Sequence, residues 1–196
     1  GGNSSKKKLI YQNGYFIEFY ISQKNENLPP SFNAEISKPY IGVVFDDRYK
    51  LSALISILSL INLSIVEGQY IKGLYHTISN LIENIVNRKH WIIIYCEWLF
   101  ELLKLIGYQI DYKKNTKRKY FNIYTQDFSN KVEEKNIVFP HNLFSERKEL
   151  TFHNINLIFI IFESIFVKNH LEHINYKMPL SFSNFKNIIL QNLKVN

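Results

Sequence analysis

The sequence is short of most residues that announce a chemistry. One cysteine in 196 residues, Cys96, excludes an internal disulfide and a thiolate-rich metal site. Its place inside an apolar run marks it as an inert core thiol. Seven glycines, clustered only as the opening pair, leave no P-loop and no glycine-rich phosphate cradle, and no G-x-S-x-G nucleophile turn occurs either. Acidic residues are outnumbered: 17 Asp and Glu against 24 Lys and Arg give a net charge of +7. That balance favours polyanionic partners, nucleic acid or an acidic protein tail. Its alternative is compositional drift, because a chain this rich in Lys, Asn, Ile, Tyr and Phe carries the imprint of an AT-rich genome. Gly1–Lys8 is polar and basic with no apolar run behind it, so a cytoplasmic address is expected. The absence of an initiating methionine gives Gly1-Gly2 the look of the middle of a longer protein.

What the sequence has in quantity is apolar and aromatic surface, 46% and 15% of its residues, so it folds. Its centre is WIIIYCEWLFELLKLIGY, Trp91–Tyr108. His90, Glu97, Glu101 and Lys104 make a thin polar stripe at helical spacing, and Ile93, Ile94, Trp98, Leu102, Leu105 and Ile106 cover the rest. The run is shorter than the roughly 20 apolar residues of a membrane span and carries three charges. It reads as the buried axis of a helical bundle, with Gly107 ending it.

Around that axis the texture changes in four steps. Residues 1–45 are β in character: Tyr15–Ser22 alternates, Lys24–Asn33 is a loop around Pro29-Pro30, and Ala34–Phe45 is a second β candidate divided near Pro39 and Gly42. Residues 46–110 are helical. Asp46-Asp47 supply the N-terminal signal, and Leu51, Leu54, Ile55, Leu58 and Ile61 form an apolar face with Ser52, Ser56 and Ser59 opposite. Gly68 breaks the pattern, and Ile71 to Val86 makes a second amphipathic helix before the central one; short connections predict antiparallel neighbours. Residues 111–149 are polar and basic, with a short strand or hairpin near Tyr120, Ile123 and Phe128. Residues 150–196 return to helix: Thr151 or Asn154 starts an almost wholly apolar run, Ile155–Val167, expected to pack on the central helix. After a turn at Asn175–Pro179, Ser181 or Ser183 is expected to cap a closing amphipathic helix. The fold class that follows is α+β, mostly α.

Two basic clusters and one small group stand out as candidate sites. Lys6, Lys7 and Lys8 lie beside Tyr11, Phe16 and Tyr20, the pairing of phosphate neutralisers with flat rings that single-strand binders use. Lys113, Lys114, Lys117, Arg118 and Lys119, flanked by Tyr112 and Tyr120, form the second. The structural alternatives are a solvated basic turn beside core aromatics and a merely soluble loop. Arg88 and Lys89, close to Trp91 and Trp98, are placed to clamp a carboxylate beside an apolar slot; the alternative is that both tryptophans are core, and Trp98 reads as core. His170 and His173, with Glu163 or Glu172, lack a third clear ligand and read as residues at a helix end. No metal, no cofactor and no catalytic residue is expected.

Three stretches, in order, resemble the RecO family in its alphaproteobacterial version. GGNSSKKKLIYQNG is similar to that family's G-G-x-S-x-[KR]…L-Q-P-G strand and turn, with Gln12 and Gly14 in register. YCEWLFELLKLIGYQIDY is similar to its Y-x-x-W-E-x-x-L-L-x-x-L-G-F-G-L-D-L, and FESIFVKNHLEHINYKMPL to its F-L-x-x-H-[VL]…P-L-P ending. The resemblance implies that 1–45 is the remainder of an oligonucleotide-binding (OB) barrel, a five-stranded fold whose first strands precede Gly1, with a helical bundle following. It implies a recombination mediator in DNA repair that binds single- and double-stranded DNA, pairs with RecR, acts on single-strand-binding protein and its acidic tail, and aids RecA indirectly. Many relatives carry two Cys pairs for zinc after the central helix. Here Asn115 stands where the first would be and no second pair exists, so no zinc is expected. An Arg and a Glu that relatives place about the tryptophan are replaced by Glu97 and Leu99, which alters the tail contact known from them.

Overall fold

The computed structural model describes residues 13–66, 68–145 and 150–195. Its elements run β1 (Phe16–Ser22), β2 (Ser31–Lys38), α1 (Tyr40–Val43), α2 (Arg48–Ser64), α3 (Leu74–Asn87) and α4 (Trp91–Leu105). Then come β3 (Tyr120–Asn122), β4 (Phe128–Ser129), β5 (Asn136–Val138), α5 (His141–Ser145), α6 (Phe152–Phe166) and α7 (Leu180–Val195). The class is α+β and mostly helical, as the periodicities predict.

The centre is α4. Nine of its residues, from Trp91 to Leu103, are buried, which is what an apolar run without a wide polar face requires. It packs against α3 on one side and α6 on another, and α7 closes over α2 and α6. Phe159, Phe162, Phe166, Phe182 and Phe185 fill the space between them. Cys96 lies fully buried in this core, which pushes its thiol pKa up and keeps it protonated. Gly107, at φ +96°, ends the helix in the left-handed conformation the sequence anticipates.

Helix starts follow local chemistry. Asp47 accepts the amide hydrogens of Tyr49 and Lys50 at 3.1 Å each, and Thr151 accepts that of Asn154 at 3.2 Å. Other expectations are corrected. Residues 40–45 do not extend the second strand: after Pro39 the chain turns into α1, where Val44 N donates to Tyr40 O, because the Tyr40 ring is drawn inward against Phe16. The face of α2 is rotated from the predicted one. Ile55 is 44% exposed, whereas Ser56 is fully buried with its hydroxyl 2.7 Å from that of Tyr95. The reason is α7: small serines let it approach, and Ser181 donates to Ser59 at 2.6 Å. That use also takes Ser181 away from capping; Ser183 lies one turn inside α7, its amide donating to Pro179 O. α3 starts at Leu74 and not Ile71, because Gly73 sits at φ +82° just before it.

Among the described residues β1 and β2 pair only with each other, from Phe16↔Lys38 to Ser22↔Ser31. Phe19, Tyr20, Ile21 and Phe32 are exposed on this hairpin. Its base is fixed to the bundle. Phe16 meets Tyr40 and Tyr75 edge-on at 5.3 and 5.7 Å, and Lys38 pairs with Glu83 of α3, which also accepts from the Tyr40 hydroxyl at 3.0 Å. At Gly14, φ +89°, an added Cβ would lie 2.3 Å from Ile41 Cδ1, so only glycine fits this approach of the chain to α1. No helix among the described residues is long and apolar enough to cross a membrane.

Candidate nucleic-acid interface

The basic cluster after α4 is mounted on a small antiparallel sheet of order β4-β3-β5. Its inner face is aromatic: Phe121, Phe128 and Phe139 meet at 5.1–6.5 Å, and Phe139 stacks on the half-buried Tyr112, which in turn meets Phe100 of α4. Burial beside Glu97 and Glu101 pushes the Tyr112 phenol up to about 12. These rings hold three very short strands to the bundle. Among the described residues no group of three His, Cys, Asp or Glu side chains is placed to hold a metal ion.

The cluster divides in two. Lys113 lines a recess of about 460 Å³ between α3, α4 and residues 109–113 that also carries Glu97, Glu101 and Asp111. Lys114 pairs with Asp111 at 3.4 Å and Lys104 with Glu101 at 3.1 Å, so positive charge there is largely matched. Lys117 and Lys119 instead border a cleft of about 320 Å³ with Phe139, Pro140, His141 and Asn142. Among the described residues no carboxylate lines that cleft. The backbone beneath it is fixed: Lys119 N donates to Asn130 Oδ1, Lys119 O accepts from Phe139 N, and His141 Nε2 donates to Arg118 O at 2.9 Å. Arg118 spends its guanidinium on Phe128 O at 2.8 Å and acts as a brace for the sheet. Lys119 lies 5.5 Å from the centre of the Tyr120 ring.

The other candidates fare differently. Lys6, Lys7, Lys8 and Tyr11 lie outside the described residues. Tyr20 is 56% exposed on the hairpin, while Phe16 is committed to the Tyr40–Tyr75 contact. Arg88, Lys89 and His90 form a cleft of about 300 Å³ with Ile93 and Ile94. Trp91 does not contribute a surface to it, being 6% exposed and packed on Phe185 at 6.2 Å; one turn of helix carries its ring into the core. Trp98 is buried as expected. His170 donates to Leu63 O at 2.9 Å and leans on Phe166, so it is structural.

One feature of this face has no sequence signal. The β3–β4 turn is built by Asn122, whose buried amide oxygen accepts from Tyr124 N and Thr125 N at 2.9 Å and whose nitrogen donates to Asn136 at 2.7 Å. Gln126, at φ +62°, exchanges two hydrogen bonds with Asn169. Asn169 belongs to a π-helical turn, Val167–Leu171, that continues α6 and sets Lys168 over the Tyr124 ring at 4.2 Å. The two residues are 44 apart in sequence, too far for any local pattern to join them.

Residues 46–119, from the start of α2 through the basic cluster, match the family model "Recombination protein O C terminal". The chain is 24% identical to the DNA repair protein RecO of Rickettsia canadensis over 161 residues, 76% of this chain and 66% of that protein. It is 27% identical to the DNA repair protein RecO of Dinoroseobacter shibae over 111 residues, 57% of this chain and 46% of that protein. The chain thus spans just under two thirds of the first of these relatives and under half of the second. No solved structure matches it significantly. The family model covers the second of the three motifs, and together with both curated relatives it shows the resemblance of this chain to the RecO family.

Proposed function

We propose that this chain is a DNA-binding recombination mediator that acts in repair without making or breaking bonds. The observation that carries the reading is the Lys117–Lys119 cleft, where no carboxylate among the described residues lines the site and the two cations close the segment similar to RecO, next to the three-stranded sheet. Side chains of this kind neutralise phosphates and release counterions. In this reading single- and double-stranded DNA are the ligands, RecR and single-strand-binding protein the protein partners, RecA the indirect beneficiary, and the bacterial cytosol the location. Residues 1–45 serve as part of an OB barrel, and no enzymatic step, metal or cofactor is needed.

A second reading makes the chain an interaction module for the acidic, Phe-ending tail of single-strand-binding protein. The Arg88–Lys89–His90 cleft supports it, since cations there border the apolar side chains of Ile93 and Ile94. One titration separates the two. Labelled single-stranded DNA and a labelled acidic peptide ending in Phe are each added to the protein at several salt concentrations. DNA binding that weakens steeply with salt, and falls when Lys117 and Lys119 are changed to Glu, supports the mediator. Peptide binding abolished by Arg88→Glu/Lys89→Glu, with no DNA binding even at low salt, would replace it with the module.

A further inference from the structure

The geometry points to the β3–β4 turn, beside the three-stranded sheet, as a base-stacking surface for single-stranded nucleic acid, with Tyr124 its principal platform and Lys168 its phosphate partner. This rests on the DNA-binding reading and adds to it a strand preference and two residues that no motif marks. Tyr124 is 68% exposed, yet it is not on a loose loop. Its turn is held by the three bonds of Asn122, by the Gln126–Asn169 exchange and by Lys168 Nζ donating to Tyr124 O at 2.9 Å. A large ring displayed to water on a rigid mount loses little conformational freedom when a base stacks on it.

Strand alternation places Phe121 inward and Tyr120 outward, and the outward Tyr120 has Lys119 beside its ring. Two ring-and-lysine pairs therefore stand at the two ends of β3. Tyr120 and Tyr124 are four positions apart, so their Cα atoms are at most roughly 14 Å apart. Bases of one flexible strand can reach both, whereas a duplex keeps its bases stacked on each other and offers only its backbone. The turn lies among carboxylates of its own segment, Asp127, Glu133 and Glu134. Lys135 pairs with Glu134, and Lys131, like Lys168, is exposed.

The test compares a labelled oligothymidine with a labelled duplex of equal length, using the whole chain. Tyr124→Ala is expected to weaken single-strand binding by about tenfold, with Tyr124→Phe close to the parent. Duplex binding should change by less than about twofold, since phosphate contacts carry it. Lys168→Ala should flatten the single-strand salt dependence by about 0.7 in log–log slope. Tyr70→Ala, at another highly exposed tyrosine (88%), is the control and should change nothing. A parent that binds oligothymidine equally well with Ala at 124, or an equal loss from Tyr70→Ala, overturns the stacking surface and leaves the DNA-binding reading standing. A parent that binds neither probe at low salt overturns both.

Discussion

At the scale of single residues, the buried pair Ser56–Tyr95 shows how the interior pays for a polar contact. Both side chains are fully enclosed and their oxygens are 2.7 Å apart; burial pushes the Tyr95 phenol well above its ordinary value, so it stays a hydroxyl. Ser56→Ala leaves that hydroxyl without a partner and is expected to cost about 1–3 kcal/mol in urea unfolding. Adding Tyr95→Phe should recover part of the loss, because the orphaned group is then gone. A double variant that loses the full sum of the two single losses would show that the bond is not what holds these helices together. Residues of this kind also mark the limit of the sequence. Asp47, Thr151 and Gly107 were legible because a cap or a left-handed stop is decided within four residues. Ser56 reads as outward in the sequence because periodicity counts hydrophobic side chains, and nothing near it reports that Tyr95 and α7 require a small polar neighbour.

At the scale of elements, the β1–β2 hairpin is bound to the bundle through a narrow base, and the Lys38–Glu83 pair is its charged tether. The hydrogen bond from Lys38 holds the Glu83 carboxyl below its ordinary 4.5, and the same bond raises the Lys38 ammonium above its ordinary 10.5. The tether's contribution is therefore present above 4.5 and lost as pH falls through the lowered Glu83 value. On the alkaline side it is present below 10.5 and lost as pH rises through the raised Lys38 value. Amide chemical shifts of Ile36 and Ser37 are expected to stay constant between those limits and to move together below the acidic one. In Lys38→Met the acid-side movement should occur nearer pH 4.5; an unchanged profile would remove the pair from the tether. The hairpin itself was legible from alternation and the Pro29-Pro30 loop. α1 was not, since Tyr40 and Ile41 look like strand until the pull of Phe16 and the bundle is known.

At the scale of the molecule, the helices from both sides of the basic segment bury their side chains in one continuous core. A shared interior predicts one cooperative transition. Tryptophan fluorescence, which reports Trp91 and Trp98 in α4, and helical circular dichroism should give the same urea midpoint; two separated midpoints would show that α6 and α7 melt apart from α2–α4. The sequence revealed this bundle because its apolar runs are long, but it did not reveal the pairing order. The main partner of α2 comes from the far end, joined by Ser59–Ser181 and Tyr49–Asn192, 122 and 143 residues apart. The closing of the interior is thus tied to translation. At about 5–20 residues per second, a ribosome needs on the order of ten seconds to deliver α7 after α2 has been made. For that interval the nascent chain carries an oily flank with no mate, and a holding chaperone would find its client there.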